Sequence, residues 1–355
     1  MIKKTLGICN ILKVILQILS VFTFGANLYL FLALEVIFAI VTSIALNHLI
    51  KKTYPWLEIL KENDFKYKKE LLKNAKQIFS HRLGSFILTQ TDQLLIYAYT
   101  SLKMVTFYNN YLMIVQFAVT LTNQPFLSLH SAIGNLVVTN SREKSYRVFQ
   151  ELLLLKYWLA GNVIFVLYAT LNPFIALWLD KSYILDHNII IILLLNFFIN
   201  IVRKPLDIFL QAFGIFHDTW APFTEAGLNL VSSVILGYFY GIFGILLGSF
   251  ISTLLIVCIW KPYLLFSKGF NLPVLFYFKK TLKYLLFYFF AAITAFYSTP
   301  NILQHIHSIN KYIQFAISLC AYSMLFATLY SLLFILFANE SKPLVKRFNA
   351  LIKSA

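Results

Sequence analysis

Long apolar runs separated by short polar breaks constrain this chain more than any other feature. A bilayer core takes about 20 mostly apolar residues per helix. Runs of that kind lie near residues 8–25, 28–50, 78–99, 104–127, 152–171, 187–210, 223–240, 242–260, 284–299 and 312–337. In lipid each backbone amide must find its partner inside its own segment, so such runs are read as helices. Composition agrees. Of the 355 residues 59% are apolar and 12% charged, whereas a soluble domain carries about 25% charged residues. A soluble enzyme, a disordered chain and a secreted disulfide scaffold are all excluded. The expected fold class is all-α: a polytopic integral membrane protein with about ten transmembrane helices.

Thirty basic residues against fourteen acidic ones give a formal charge of +16. On a soluble protein that excess would point to nucleic acid. Here it sorts by loop instead, and no nucleic-acid partner is expected. Lys3 and Lys4 precede the first run. Lys51, Lys52, Lys61, Lys66, Lys68, Lys69, Lys73 and Lys76 follow the second. Arg142, Lys144 and Arg147 follow the fourth, Lys261, Lys268, Lys279, Lys280 and Lys283 the eighth, and Lys342, Lys346, Arg347 and Lys353 the tenth. The alternate loops hold only Lys103, Lys181 and Lys311. By the positive-inside rule both termini are expected in the cytoplasm, and an even number of spans agrees. No small-residue cleavage site follows the first run, so none of the runs reads as a cleavable signal peptide.

The external loops are short, the longest near 172–186 and 300–311. The largest inner loop, 51–77, mixes Leu57, Leu60, Phe65, Leu71 and Leu72 with lysines, the pattern of an amphipathic segment on the inner leaflet. It is the best domain boundary in the chain. Cys9, Cys258 and Cys320 fall inside apolar runs without metal-ligand spacing and read as small core residues. No nucleophile–base arrangement, metal cluster or phosphate-cradling glycine loop is present, so no catalytic residue, metal or cofactor is expected.

Polar residues inside the membrane mark candidate sites. In the third run Arg82, Ser85, Thr89, Asp92 and Gln93 share one face, within a wedge of about 100°. Two readings fit: a cavity lining, or an internal network pinning helices together. Arg82 and Asp92 are about 15 Å apart along a helix, too far to pair directly. The sixth run carries Arg203, Lys204, Pro205 and Asp207. The adjacent cations suit a diphosphate group or reach the inner headgroups, and Pro205 is expected to kink the helix. In the seventh run Glu225, Asn229 and Ser232 lie on one face. Glu225 either binds a cation or caps its own helix, taken to start near Pro222. Glu35 is a lone acid for which no partner can be named. Gly241, Gly244, Gly248 and Ser252 form a small-residue ridge that favours close helix packing. Pro125 is expected to kink the fourth run.

Several of these stretches resemble the polysaccharide flippase family of the multidrug/oligosaccharidyl-lipid/polysaccharide exporter superfamily. IKKTYPWLEIL (50–60) is similar to its Lys-Tyr-Pro linker, and SHRLGSFILTQTDQLLI (80–96) to a helix with a Gly and then a Thr-Asp pair. FYNNYLMIV (107–115) resembles a Tyr-Ser-Asn-Tyr helix start, with Asn109 in place of the Ser and Thr106 in place of a Gly. The segment 203–262 is the strongest match, carrying Ala-x-Gly, Pro-x-x-Glu, Asn-Leu, Gly-x-x-Gly-x-x-x-Gly and Trp-x-Pro in order. The resemblance implies a plan like that of MATE-type drug exporters of the same superfamily, two six-helix lobes followed by an extra pair. On that plan residues 1–50 are the last two helices of a partial first lobe and 51–77 the linker. Residues 78–263 are the second lobe and 264–355 the extra pair. The first four helices of the plan are then missing, which implies an internal start or an interrupted gene.

The implied function is flipping of an undecaprenyl-diphosphate-linked oligosaccharide across the bacterial cytoplasmic membrane for surface polysaccharide such as O-antigen or capsule. It would proceed by alternating access, without covalent chemistry. Its partners would be the lipid-linked glycan, membrane lipids, and a polysaccharide polymerase and glycosyltransferases. The substrate pathway would comprise Arg82, Ser85, Thr89, Asp92, Gln93, Arg203 and Lys204, and cation coupling would fall to Asp92, Glu225 and Asn229. Three alternatives stand beside it: another exporter of the superfamily, a membrane glycan polymerase or acyltransferase, and an inactive fragment. Basic residues along the polar face disfavour the first, and short external loops the second.

Overall fold

The computed structural model describes residues 2–25, 27–56, 72, 79, 91–215, 218–303 and 310–344. Much of the lysine-rich 51–77 segment lies outside them. The described residues are helical throughout, joined by tight breaks, as expected of an all-α polytopic membrane protein. Among the described residues seven helices are long and apolar enough to cross a membrane, or eight where a bent pair is taken as one span. The chain divides into two compact units, Met1–Leu71 and Leu72–Ala355.

The first unit is a hairpin of α1 (Ile2–Phe24) and α2 (Leu28–Thr53). Gly25 turns the chain at φ 73°, and the Asn27 side chain accepts from the amides of Tyr29 and Leu30, capping α2. No α2 side chain is buried within the unit. What ties the hairpin is polar. Lys13 Nζ lies 2.6 Å from Glu35 Oε1 and Gln17 Nε2 donates to Glu35 Oε2 at 2.9 Å. Two charges that each weaken an apolar run therefore neutralise one another across it. The acid left without a partner in the sequence has one.

In the second unit α3 (residues 91–99) precedes α4 (Leu102–Leu127) and α5 (Leu129–Thr139). The last two are bent by 41° just after Pro125, which lacks the amide needed to continue the ladder. Next comes α6 (Arg142–Trp178), 37 residues long and about 55 Å at 1.5 Å per residue. It outreaches the bilayer core and absorbs part of the segment 172–186 expected as loop. Then follow α7 (His187–Val202) and α8 (Lys204–Ala212), with the break at Arg203 and Pro205 in the first turn of α8.

The helix α9 (Trp220–Thr253) is broken at Gly241, where φ 57° and ψ −135° reverse the chain. Ser233 Oγ donates to Ile245 O at 2.9 Å. Residues twelve apart would be about 18 Å apart on a straight helix, so the two arms fold back as antiparallel passes. Their contact is close because of glycine: a Cβ on Gly244 would stand 2.0 Å from Leu236 O, and one on Gly248 2.5 Å from Ser233 N. The chain continues through the π-helical turns Leu254–Trp260 and Leu265–Phe270 around α10 (Lys261–Leu264). It ends in α11 (Leu275–Leu303) and α12 (Lys311–Phe337).

This last pair packs on α6. Gly161 admits the Tyr330 ring, which a Cβ would meet at 2.4 Å, and Phe165 stacks on Phe326 at 4.2 Å. Trp158 Nε1 donates to Ser331 Oγ at 2.9 Å and Tyr330 OH to the Tyr157 carbonyl at 3.2 Å. Such polar contacts add about 0.6 kcal/mol each inside a bilayer. Packing around the small residue carries most of the adhesion.

Candidate functional site

Two charged clusters lie among the helices of the second unit. The first is built on α3 and the α9 hairpin. Both oxygens of Asp92 are 3.0 Å from Ser249 Oγ on the second arm of α9. Asn229 Nδ2, on the first arm, donates to the same hydroxyl at 2.7 Å. A hydroxyl has one proton, so Asp92 receives one hydrogen bond from Ser249 at a time. No cation pairs with Asp92 among the described residues. Buried Tyr108 of α4 lies within its electrostatic reach. Beside Asp92, Gln93 Nε2 donates to Asn109 Oδ1 at 3.2 Å, fastening α3 to α4. The hairpin is what makes this cluster. Gly244 and Gly248 bring the arms together, and the arms then present Asn229 and Ser249 side by side.

The second cluster sits at the α7–α8 break. Asp207 Oδ2 accepts from Arg203 Nε at 3.0 Å and Asp207 Oδ1 from Lys261 Nζ at 2.7 Å. Lys204 is a third cation in electrostatic reach of this carboxylate. Each of the three paired side chains is less than a quarter exposed, so the carboxylate clamps α8 to α10 through charge. Lys156, in the middle of α6, is 0% exposed. Its Nζ donates to Thr122 O at 3.0 Å and Asn123 Oδ1 at 2.7 Å and lies 3.8 Å from the centre of the Phe126 ring. The ammonium therefore occupies the α4 turn next to Pro125, held by carbonyls and a ring rather than by a carboxylate. Its charge also reaches Lys204.

Of the residues expected on the polar face, Arg82, Ser85 and Thr89 lie outside the described residues. Asp92 and Asn229 are brought to one hydroxyl. Glu225, one turn from Asn229, is buried and within electrostatic reach of Arg203. It does not cap its helix: α9 begins at Trp220 and has no acid in its first turn. That expectation fails because the helix starts before Pro222, not at it. Arg203, expected to face headgroups or a diphosphate, spends its Nε on Asp207 one turn along.

Three residues of these clusters were not singled out in the sequence. Ser249 stands beside Gly248, and the small-residue ridge reads through Ser252 instead. Lys261 reads in the sequence as a loop charge. Lys156 carried a usable signal, a lone lysine within an apolar run. Among the described residues no three of His, Cys, Asp and Glu come together as metal ligands.

Helices of membrane-spanning length with polar side chains meeting between them define a polytopic all-α membrane protein. Among solved structures its fold is similar to that of a lipid II flippase, MurJ, in an inward closed conformation. The TM-score is 0.60 at 17% identity, over 93% of this chain and 66% of that one. The chain thus spans just under two thirds of the length of that structure. No family model and no curated relative matches the sequence.

Proposed function

We propose that this chain takes part in moving the head of a lipid-linked, diphosphate-bearing glycan across the bacterial cytoplasmic membrane by alternating access. The basic loops would face inside, and the glycan would serve surface polysaccharide. The observation that carries the reading is the fold, similar to that of a lipid II flippase along nearly the whole chain. The motifs that resemble polysaccharide flippases narrow the substrate to an undecaprenyl-linked oligosaccharide. No covalent step is needed. The polar head must be sheltered from hydrocarbon while the lipid tail stays in it.

Two features suit that task. Cations at the α7–α8 break outnumber the carboxylate they share, giving a positive region that attracts a diphosphate. Lys204 is the member best placed to do so, since Arg203 and Lys261 are engaged by Asp207. At the α9 hairpin Asp92 meets a neutral hydroxyl and no cation among the described residues. One carboxylate with a hydroxyl oxygen beside it is a hard, oxygen-based donor set, and we assign it to a small monovalent cation whose entry biases one of two states. Such a cation shifts the equilibrium only by its differential affinity for them.

The test is reconstitution. The full chain is placed in liposomes carrying a fluorescent undecaprenyl-diphosphate oligosaccharide in the inner leaflet, and a lectin added outside reports the glycan. Glycan exposure well above that of protein-free liposomes is expected. Exposure equal to the protein-free control, from a preparation that is folded and monodisperse, would contradict the proposal.

A further inference from the structure

A cavity of about 490 Å³ opens where the first turns of α6 and α11 meet. One wall is the α6 face bearing Arg142, Arg147 and Gln150. The floor is aromatic: Tyr146 and Phe270, with ring centres 5.4 Å apart, and Phe276. The chain is turned across this floor by Asn271, whose left-handed φ of 57° ends the π-helical stretch. Half-exposed Phe276 then stands at the rim, at the start of α11.

The walls have the two characters of an amphiphile. Two guanidiniums and an amide provide forked donors for a phosphate, and the rings beneath offer apolar surface to the chain that follows it. The position agrees. The apolar runs of the two helices begin near residues 152 and 284, so Arg147 and Gln150 lie about 3–8 Å before the first of them along α6, which is headgroup depth. The cavity is far larger than one phosphate group. Glu143 also lines it, paired with Arg147. That pair is mostly exposed, with side-chain exposures of 70% and 73%, so it is weak and gives way to a stronger anion. From this juxtaposition we infer that the cavity binds the headgroup of an anionic membrane phospholipid, with the phosphate on Arg142 and Arg147 and the glycerol and upper acyl chain over Phe270 and Phe276. This site is separate from both charged clusters and does not rest on the proposed transport activity.

The test is native mass spectrometry of the full chain purified in detergent and titrated with phosphatidylglycerol or with phosphatidylcholine of the same acyl chains. The parent is expected to retain phosphatidylglycerol in preference. R142Q/R147Q should weaken that retention by at least about tenfold, the loss of one charge-assisted hydrogen bond or more. The control K51Q/K52Q removes the same charge elsewhere and should leave retention unchanged. E143Q removes the competing carboxylate and should strengthen retention, a gain that misfolding cannot produce. Equal retention in R142Q/R147Q and the parent would overturn the assignment, as would an equal loss in K51Q/K52Q. Stripping of the lipid by excess inorganic phosphate would show a site for free phosphate and overturn the choice of a lipid.

Discussion

Asp207 and Asp92 are carboxylates in the same helical unit, and they are held in opposite ways. Asp207 takes a cation on each oxygen, at 3.0 Å from Arg203 and 2.7 Å from Lys261. Asp92 takes a serine hydroxyl that is itself held by an asparagine. An ionised carboxylate accepts about four hydrogen bonds. The described residues offer Asp207 charge on both sides, and they leave most of the capacity of Asp92 unused. The first arrangement is closed and joins elements. The second has no cation among the described residues, and in the proposed function its remaining lone pairs take a mobile cation. A buried charge in a membrane helix is thus no guide to function by itself; the identity of its partner is.

The largest effect should come from Asp207→Asn. Removing one member of a buried charged pair costs about 3–5 kcal/mol, and this partly exposed group should lie toward the low end. Arg203 and Lys261 would both lose their counter-ion. Membrane abundance should fall sharply, and the surviving protein should lose its monodisperse peak on mild heating in size-exclusion chromatography. A variant as robust as the parent would remove the distinction between the two carboxylates.

Gly244→Ala should come next, at about 1–3 kcal/mol for an overpacked contact, because its Cβ would stand 2.0 Å from the Leu236 carbonyl. The two arms of α9 must part, and Ser249 moves away from Asn229. The substitution should therefore damage the Asp92 cluster while leaving the Asp207 clamp in place. Cysteine pairs introduced across each site would report this by crosslinking yield.

Ser249→Ala removes the hydroxyl that meets Asp92. Hydrogen bonds to charged groups contribute about 1.5–3 kcal/mol, and Asp92 is partly exposed, so the expected loss of stability lies at the low end. Flipping should fall further than stability does. Proportionate losses of both would place Ser249 in packing alone.

Much of the fold can be read in the runs themselves. The last run, 312–337, is α12 (Lys311–Phe337), and the break between 240 and 242 is the reversal at Gly241. Hydropathy and glycine placement are local, and they suffice for these elements. Helix ends beyond the apolar core are less legible. A polar first turn carries α6 back to Arg142, where no apolar signal marks it, and Lys279, Lys280 and Lys283 interrupt the apolar signal of α11, which starts at Leu275. The partners of the charges were least legible. Lys13 and Glu35 each looked like a flaw in an apolar run until the α1–α2 turn brought them together, and Lys261 looked like any inner-loop lysine until α10 folded toward Asp207. Pairing across helices follows no sequence period. Asp92 and Asn229 could be picked as polar residues in the membrane, yet the hydroxyl between them depends on how tightly a hairpin closes.

The distinction between the two carboxylates is tested most directly by the response of folding to a small cation. Thermal unfolding of the parent, Asp92→Asn and Asp207→Asn would be followed over a sodium titration, with choline holding ionic strength constant. A ligand that binds only the folded state raises its stability with concentration. The unfolding midpoint of the parent should rise with sodium. That of Asp92→Asn should start near the parent and stay flat, and that of Asp207→Asn should start low and rise in parallel with the parent. A flat parent, or a sodium response that survives in Asp92→Asn, would contradict the account.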